Sequence, residues 1–417
     1  MGPLVLYPPV LPFGYTLHHR FQRVWEAGVY LRRHYPDTVI MDAGLLNKLQ
    51  GQVLSEFARD YDAVAIYAEP QMLPVVADLA ERLRHMSSLS KILVYGPATV
   101  CFPHRVQALD VDAIAHGGDV EAQLRQFADI VTGRSDVAAN LKLRIAGGWA
   151  RPIGHPETVP ADEWAFPPIG EMPMTDIARI YDMKGQHVTV AVTAARGCPY
   201  RCAFCATPSI EGRPDRRRPI PALVDFMRRY SDRYRHWQMY APTFTLDRRW
   251  CLDFFAALRA SQVQVNWRCT TRVDRLDVEL VEAMAAAGCS MVGIGVETLG
   301  PTLDRIDKEI SRQQVASALS MLRTAGIRAK AYIMLGLPGQ SIAEVYETIR
   351  FVTDLGAEIR PTLYSPQGEA DALTADDVES DMDMLGAMDR KSFLVGREHY
   401  GELLRLTFDR RIASPQM

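Results

Sequence analysis

The chain reads as an α/β protein of two domains, a doubly wound parallel sheet followed by a second series of strand–helix units that forms a full or partial β/α barrel. Three observations point there. Apolar, β-branched runs alternate with segments whose apolar residues recur at helical spacing. A stretch dense in proline and glycine interrupts that alternation. At 417 residues the chain is long enough for two separate cores.

The first series, residues 1–133, has strand candidates at Leu4–Tyr7, Thr38–Met41, Ala63–Tyr67, Lys91–Tyr95 and Asp112–Ala115. Helical spacing falls between them, over Phe21–His34, Leu46–Arg59 and Met72–His85, and then over Val120–Val131. Such a sheet binds ligands at the carboxyl ends of its strands, here near Pro8-Pro9, Ala68-Glu69-Pro70 and Gly96-Pro97. Residues 134–186 hold Pro152, Pro156, Pro160, Pro167, Pro168 and Pro173 with Gly147, Gly148 and Gly154, which predicts an ordered but irregular connector. Trp149 and Trp164 are expected to pin it to a domain surface. The second series, residues 187–366, places strands at Val188–Thr193, Trp237–Tyr240, Val263–Cys269, Met291–Val296, Arg328–Met334 and Ile359–Tyr364, with helices between. A short helical C-terminal segment, residues 367–417, follows.

Composition narrows the function classes. Hydrophobic content of 48% and charged content of 23% are ordinary for a soluble globular protein. A net charge of -3 argues against nucleic-acid binding that rests on bulk electrostatics. No apolar run approaches a membrane span, and the N-terminus lacks the basic-then-apolar order of a signal peptide. Four of the seven cysteines (Cys101, Cys251, Cys269, Cys289) lie scattered in apolar surroundings, as buried small hydrophobes do. A reducing cytoplasm is the compartment expected.

The other three cysteines carry the chemistry. Cys198, Cys202 and Cys205 follow the strand at Val188–Thr193 in a Cys-x-x-x-Cys-x-x-Cys loop. Three thiolates so placed can grip a soft metal or an iron–sulfur cluster, one ligand short of a closed tetrahedral site. A zinc site would need a fourth ligand, and His187 and His236, the nearest histidines, lack finger-like spacing. A disulfide would leave an odd thiol in a chain with no sign of secretion.

The cysteine spacing, with Phe204 before the third thiol and Arg196-Gly197 before the first, resembles the signature of the radical S-adenosylmethionine (radical SAM) superfamily. Later segments match in order. Asn266 to Asp274 is similar to the third-strand arginine segment, Gly293-Ile294-Gly295-Val296-Glu297 to the fourth-strand Gly-x-Gly-x-Glu, and Ile333 to Gly339 to the fifth-strand glycine turn. The resemblance implies a partial (β/α)6 barrel in which Cys198, Cys202 and Cys205 ligate a 4Fe–4S cluster whose open iron chelates S-adenosylmethionine. Phe204 and Gly336 would meet the adenine, Glu297 the ribose or another polar group, and Arg272 the carboxylate. For Glu297 and Arg272 an ordinary ion pair inside the barrel is the competing reading. Ala241 stands where an acidic residue is often found, with Thr243 or Thr245 as substitute hydroxyls. The reaction expected is formation of a 5′-deoxyadenosyl radical that abstracts hydrogen from a nearby carbon.

The domain ahead of the barrel is similar to the Rossmann-like cobalamin-binding domain of cobalamin-dependent radical SAM enzymes, through Tyr7-Pro8-Pro9 and His116-Gly117-Gly118-Asp119-Val120-Glu121. Tyr95-Gly96-Pro97 replaces the usual double glycine, and no Asp-x-His-x-x-Gly sequence marks a cobalt ligand. These departures count against bound cobalamin, and a domain that has kept the fold without the cofactor is the alternative. Eight acidic residues and no basic one lie between Glu369 and Asp389. Most of that run suits a solvated helix. Its start, Gln367-Gly368-Glu369-Ala370-Asp371, stands at the barrel mouth and suits a substrate carrying ammonium groups. With the altered first domain, it makes the chain resemble the radical SAM diol-dehydratases of aminoglycoside 3′-deoxygenation. That resemblance implies a cationic aminosugar of the paromamine type, an external electron donor such as a flavodoxin, and a nicotinamide-dependent reductase acting on the product. Glu369, Tyr364 and Tyr240 are the candidate acid–base groups. A cobalamin-dependent radical SAM C-methyltransferase is the other enzyme reading.

Overall fold

The structure is a computed structural model that describes residues 2–8, 21–43, 50–57, 59, 61–69, 72–87, 89–172, 189–364, 401–402 and 405–406. It divides into two compact units, one built mainly on Met1–Val188 and the other on Thr189–Pro208 and Arg213–Pro366. Glu369, the acidic run to Asp389 and nearly all of the C-terminal segment lie outside the described residues. None of the described helices is long and apolar enough to cross a membrane.

Among the described residues the first unit holds a seven-stranded sheet. Its strands are β1 (Leu4–Tyr7), β2 (Val39–Asp42), β3 (Ala63–Tyr67), β4 (Lys91–Tyr95), β5 (Ala113–Ala115), β6 (Leu141–Ile145) and β7 (Gly148–Trp149), in the order β2-β1-β3-β4-β5-β6-β7. The first five are parallel, joined by crossovers that include the helices Phe21–Arg32, Gln50–Phe57 and Leu73–Met86. Buried on both faces, they are close to continuous apolar runs, and β3 is buried at all five positions. The helix Val120–Val131 follows the expected bounds.

The connector differs from expectation. Its first part adds the antiparallel strands β6 and β7 to the sheet. The signal was there: Leu141-Lys142-Leu143-Arg144-Ile145 alternates and runs into Gly147-Gly148, both at positive φ. The two tryptophans pin it as expected. Trp149 donates to the Gln107 carbonyl at 3.2 Å, and Trp164, buried with Tyr30 and Ala122, donates to the Val159 carbonyl at 3.1 Å.

Two glycine turns of this unit are packed by the unit's own residues. Buried Asn140 donates to the carbonyls of Gly117 (2.8 Å) and Glu157 (2.9 Å) and accepts from the Glu157 amide. A Cβ on Gly118, whose φ is 71°, would collide with Asn140 and with the Glu157 carbonyl. At Gly96, φ 107°, a Cβ would meet the Ala68 carbonyl and the Tyr67 ring at 2.9 Å. The Tyr67 and Tyr95 rings stand edge to face at 5.3 Å, and the buried Tyr95 hydroxyl has no hydrogen-bond partner among the described residues. At both turns the place a Cβ would take is filled by the chain's own side chains and carbonyls.

In the second unit β8 (Thr189–Thr193) is followed by the short antiparallel pair β9 (Ala195–Arg196) and β10 (Arg216–Arg217). Then come β11 (His236–Tyr240), β12 (Asn266–Arg272), β13 (Cys289–Glu297), β14 (Arg328–Leu335) and β15 (Glu358–Leu363). Six of these form one parallel sheet in chain order, β8-β11-β12-β13-β14-β15. This is a partial β/α barrel. Helices between the strands begin at caps visible in the sequence: Asp247, Asp277, Ser311 (with Gln314 in a capping box) and Ser341. The strand expected at Val263–Cys269 lies three residues later. Trp267 sets that register, buried and stacked on Phe255 at 5.5 Å, with its indole NH donated to the Ala287 carbonyl at 2.7 Å.

Gly118→Ala should destabilise the first unit by at least about 1–3 kcal/mol from backbone strain alone. Urea unfolding of the full chain checks this, and a midpoint unchanged from the parent would contradict the packing of Asn140 and Glu157 on that turn.

Candidate active site

Alternation along the parallel strands sorts side chains onto two faces. On β11 and β12, Trp237, Met239, Trp267, Cys269 and Thr271 are buried. Their neighbours Gln238, Tyr240, Arg268 and Thr270 are half-exposed on the concave face. Chemistry gathers at the carboxyl ends of these strands.

The cysteine loop leaves β9 through Gly197, φ 87°. It docks by the Ala203 amide on the Ile306 carbonyl (3.0 Å) and turns tightly where the Cys205 amide meets the Cys202 carbonyl (3.0 Å). Cys198 is buried, while Cys202 and Cys205 are half-buried. The Cys198 thiol lies 3.9 Å from the Thr243 hydroxyl, so the loop and the end of β11 meet. Burial pushes the Cys198 and Cys202 thiols above the usual range, and at Cys202 the nearby Lys308 and Arg272 charges oppose it. Cys198 also feels the charge of Cys205, and Cys202 that of Cys205 and Cys198, as neighbours on one loop do. Among the described residues no three His, Cys, Asp or Glu side chains draw together closely enough to hold a lone ion. Three cysteines on one loop, one ligand short of a closed set, are the donors that three corners of a 4Fe–4S cluster call for.

Arg272 ends β12 beside the loop. Its guanidinium donates to Asp274 (2.8 Å), to the Lys308 carbonyl (2.6 Å) and, at 3.6 Å, to the Cys202 sulfur, and it sits 3.9 Å from the centre of the Tyr200 ring. Glu297 ends β13 and receives Lys308 Nζ at 2.6 Å, both side chains under a tenth exposed. Sequence reasoning had not singled out Lys308. Its motif-free setting, a lone basic residue between Ile306 and Ile310, gave little to find it by, although Asp307 and Glu309 on either side hold left-handed backbone at φ 50° and 51°.

The Gly-x-Gly-x-Glu segment now has a steric account. A Cβ on Gly293 would strike the Tyr332 ring at 2.5 Å, and one on Gly295 would collide with the Lys308 ammonium and Glu297. One glycine leaves room for a tyrosine on the concave face, the other for a buried ion pair. Gly336, φ 81°, opens the turn after β14, where Gln340 accepts from the Gly336 (2.8 Å) and Leu337 (3.2 Å) amides and donates to the Met334 carbonyl (3.1 Å). Beside it, Ile306, Met334 and Leu337 form an apolar cluster flanked by Phe204, Leu303 and Tyr364. Phe204, Gly336 and Tyr364 therefore come together as one wall, suited to a flat ring. Tyr240 ends β11 on the concave face, opposite Thr193 of β8. Thr245 bonds Thr271 at 2.5 Å and is committed to packing.

Removing one partner of a buried ion pair leaves an uncompensated charge, at about 3–5 kcal/mol. Lys308→Met should therefore destabilise the chain strongly, and adding Glu297→Gln should restore much of the loss. Denaturant unfolding of the two single variants and the double variant reads the coupling, and additive losses would contradict the pairing.

Residues 192–352 match the model of the radical SAM superfamily. A protein of Pyrococcus horikoshii, named as an uncharacterized methyltransferase, is 23% identical over 332 residues, 78% of this chain and 71% of that one. Among solved structures, the radical SAM methyltransferase TsrM from Kitasatospora setae, with cobalamin and a [4Fe-4S] cluster bound, superposes with a TM-score of 0.69 at 15% identity. The match covers 87% of this chain and 74% of that one. OxsB, a cobalamin-dependent S-adenosylmethionine radical enzyme with aqua-cobalamin bound, gives 0.70 at 16%, over 94% of this chain and 56% of that one. At such identities the two structures speak for the fold. With the three-cysteine loop, the Gly-x-Gly-x-Glu strand and the partial barrel in place, residues 192–352 are similar to the radical SAM superfamily, and the chain shares the order of its two sheets with the folds of TsrM and OxsB.

Proposed function

We propose that the protein is a radical SAM methyltransferase of the cobalamin-dependent kind, acting on a carbon held at the concave face of its barrel. One observation carries the reading: both units, the parallel sheet and the cysteine barrel, follow the fold of two enzymes whose structures hold cobalamin, with a [4Fe-4S] cluster beside it in TsrM. The name of the Pyrococcus relative supports the methyl-transfer step. When bound, the cluster supplies the electron that opens the sulfonium of S-adenosylmethionine.

The chain's own residues then have these roles. Cys198, Cys202 and Cys205 hold three irons, with Arg272 and Lys308 offsetting the negative charge that gathers there. Thr243, beside Cys198, offers a hydroxyl to the polar end of S-adenosylmethionine. Phe204, Gly336 and Tyr364 enclose the adenine. Arg272 and Glu297 position the site through Asp274 and Lys308, each engaged by its partner. Tyr240, facing the concave side, and Tyr364 are the described hydroxyls for acid–base work at the substrate.

A second reading, the aminosugar diol-dehydratase, is favoured by the Gly96 and Gly118 turns, which the first unit fills with its own residues. Glu369, the acid it would use first, lies outside the described residues. Anaerobic reconstitution with iron, sulfide and hydroxocobalamin, followed by gel filtration and mass spectrometry of products, separates the two. The methyltransferase reading expects roughly four irons per chain, cobalamin retained, and S-adenosylhomocysteine formed. Iron should fall steeply in Cys198→Ala, Cys202→Ala and Cys205→Ala. No retained cobalamin, together with 5′-deoxyadenosine and loss of water from paromamine, would establish the dehydratase instead.

A further inference from the structure

The concave face of the barrel sheet carries a charge imbalance that the cluster chemistry does not use. Glu358, at the start of β15, is shared by Arg328 and Lys330 of β14, each at 3.2 Å. Arg268 of β12 and Arg360 of β15 have no carboxylate partner among the described residues, and the buried Nε of Arg268 has no hydrogen-bond partner there. Arg360 lies 5.5 Å from the centre of Tyr332, the tyrosine for which Gly293 leaves room, and Arg268 lies within electrostatic reach of Tyr332, Arg360 and Arg328. Burial, helped by Arg360 and Arg328, holds the Arg268 guanidinium below its usual range. Two arginines on one face with no carboxylate partner among the described residues call for an anion beside them.

We propose that this face receives an anionic group of the substrate, a carboxylate or a phosphate, held in the forks of Arg268 and Arg360. The proposal rests on the reading of the cysteine loop as the reactive end of the same face. A guanidinium fork matches either oxyanion through two parallel hydrogen bonds, and its charge persists at any working pH. Register adds a measure. Arg272, Gly295, Tyr332 and Arg360 are neighbours on four successive strands, so Arg360 stands three strand spacings, about 14 Å along the sheet, from the arginine that touches Cys202.

Calorimetric titration of the full chain at low ionic strength, without S-adenosylmethionine, tests this with pyrophosphate, citrate and spermidine as probes. Pyrophosphate or citrate should bind, the tighter of the two naming the anion class. Arg268→Gln and Arg360→Gln should each weaken that binding at least tenfold, whereas Arg249→Gln, at an exposed helix position, should leave it unchanged. Circular dichroism verifies that the variants are folded. Equal anion affinity in parent and both variants, or spermidine bound more tightly than either anion, overturns the proposal, the latter in favour of a cationic substrate. Because the titration needs neither cobalamin nor turnover, its outcome is independent of whether methyl transfer is found.

Discussion

Holding three thiolates together at one end of a sheet calls for positive charge close by, and the active end of the barrel is arranged around that requirement. Arg272 and Lys308 both reach toward Cys202, and neither is left alone in a low-dielectric setting: Asp274 holds one and Glu297 the other. The Lys308 carbonyl also accepts from Arg272, so the two pairs are tied to each other. The backbone bears the strain of this arrangement. Glu297, Asp307 and Glu309 adopt left-handed φ values of 64°, 50° and 51° without being glycine, a conformation that costs on the order of 1 kcal/mol or more at each. The ladder shifts register between Gly295 and Glu297, which turns the glutamate toward its lysine. Strain, bulge and glycine all serve one ion pair.

Glycine in this chain marks close approach without saying what approaches. Gly293 and Gly295 leave room for Tyr332 and for the Lys308–Glu297 pair, all supplied by the barrel itself. In the first unit the same holds at Gly96 and Gly118, where Tyr67, Asn140 and Glu157 fill the space beside the backbone. A motif-based reading sees the glycine and attributes the space to a ligand. Packing shows the occupant.

Much of the architecture was legible because its signals are local. Alternating apolar runs gave both parallel sheets, and Asp247, Asp277, Ser311 and Ser341 announced helix starts through hydrogen bonds made within one turn. The cysteine spacing was equally local. What escaped depends on residues far apart in the chain. Lys308 acquires meaning only when β13 brings Glu297 to it, and Asn140 only when the connector returns over Gly117. Val263 and Val265 looked like strand because of their β-branched side chains, yet Trp267, through its contacts with Phe255 and Ala287, sets where β12 pairs. Arg268 and Arg360 were likewise invisible as a pair, being separated by two strands in the sheet and by most of the barrel in sequence.

The six barrel strands follow one another in chain order, and β8 and β15, at the two ends, do not hydrogen-bond to each other among the described residues. A closed ring would impose a bore on whatever enters. Among the described residues the sheet is instead a trough with two edges, β8 and β15, and side chains such as Gln238, Tyr240 and Tyr332 line its floor.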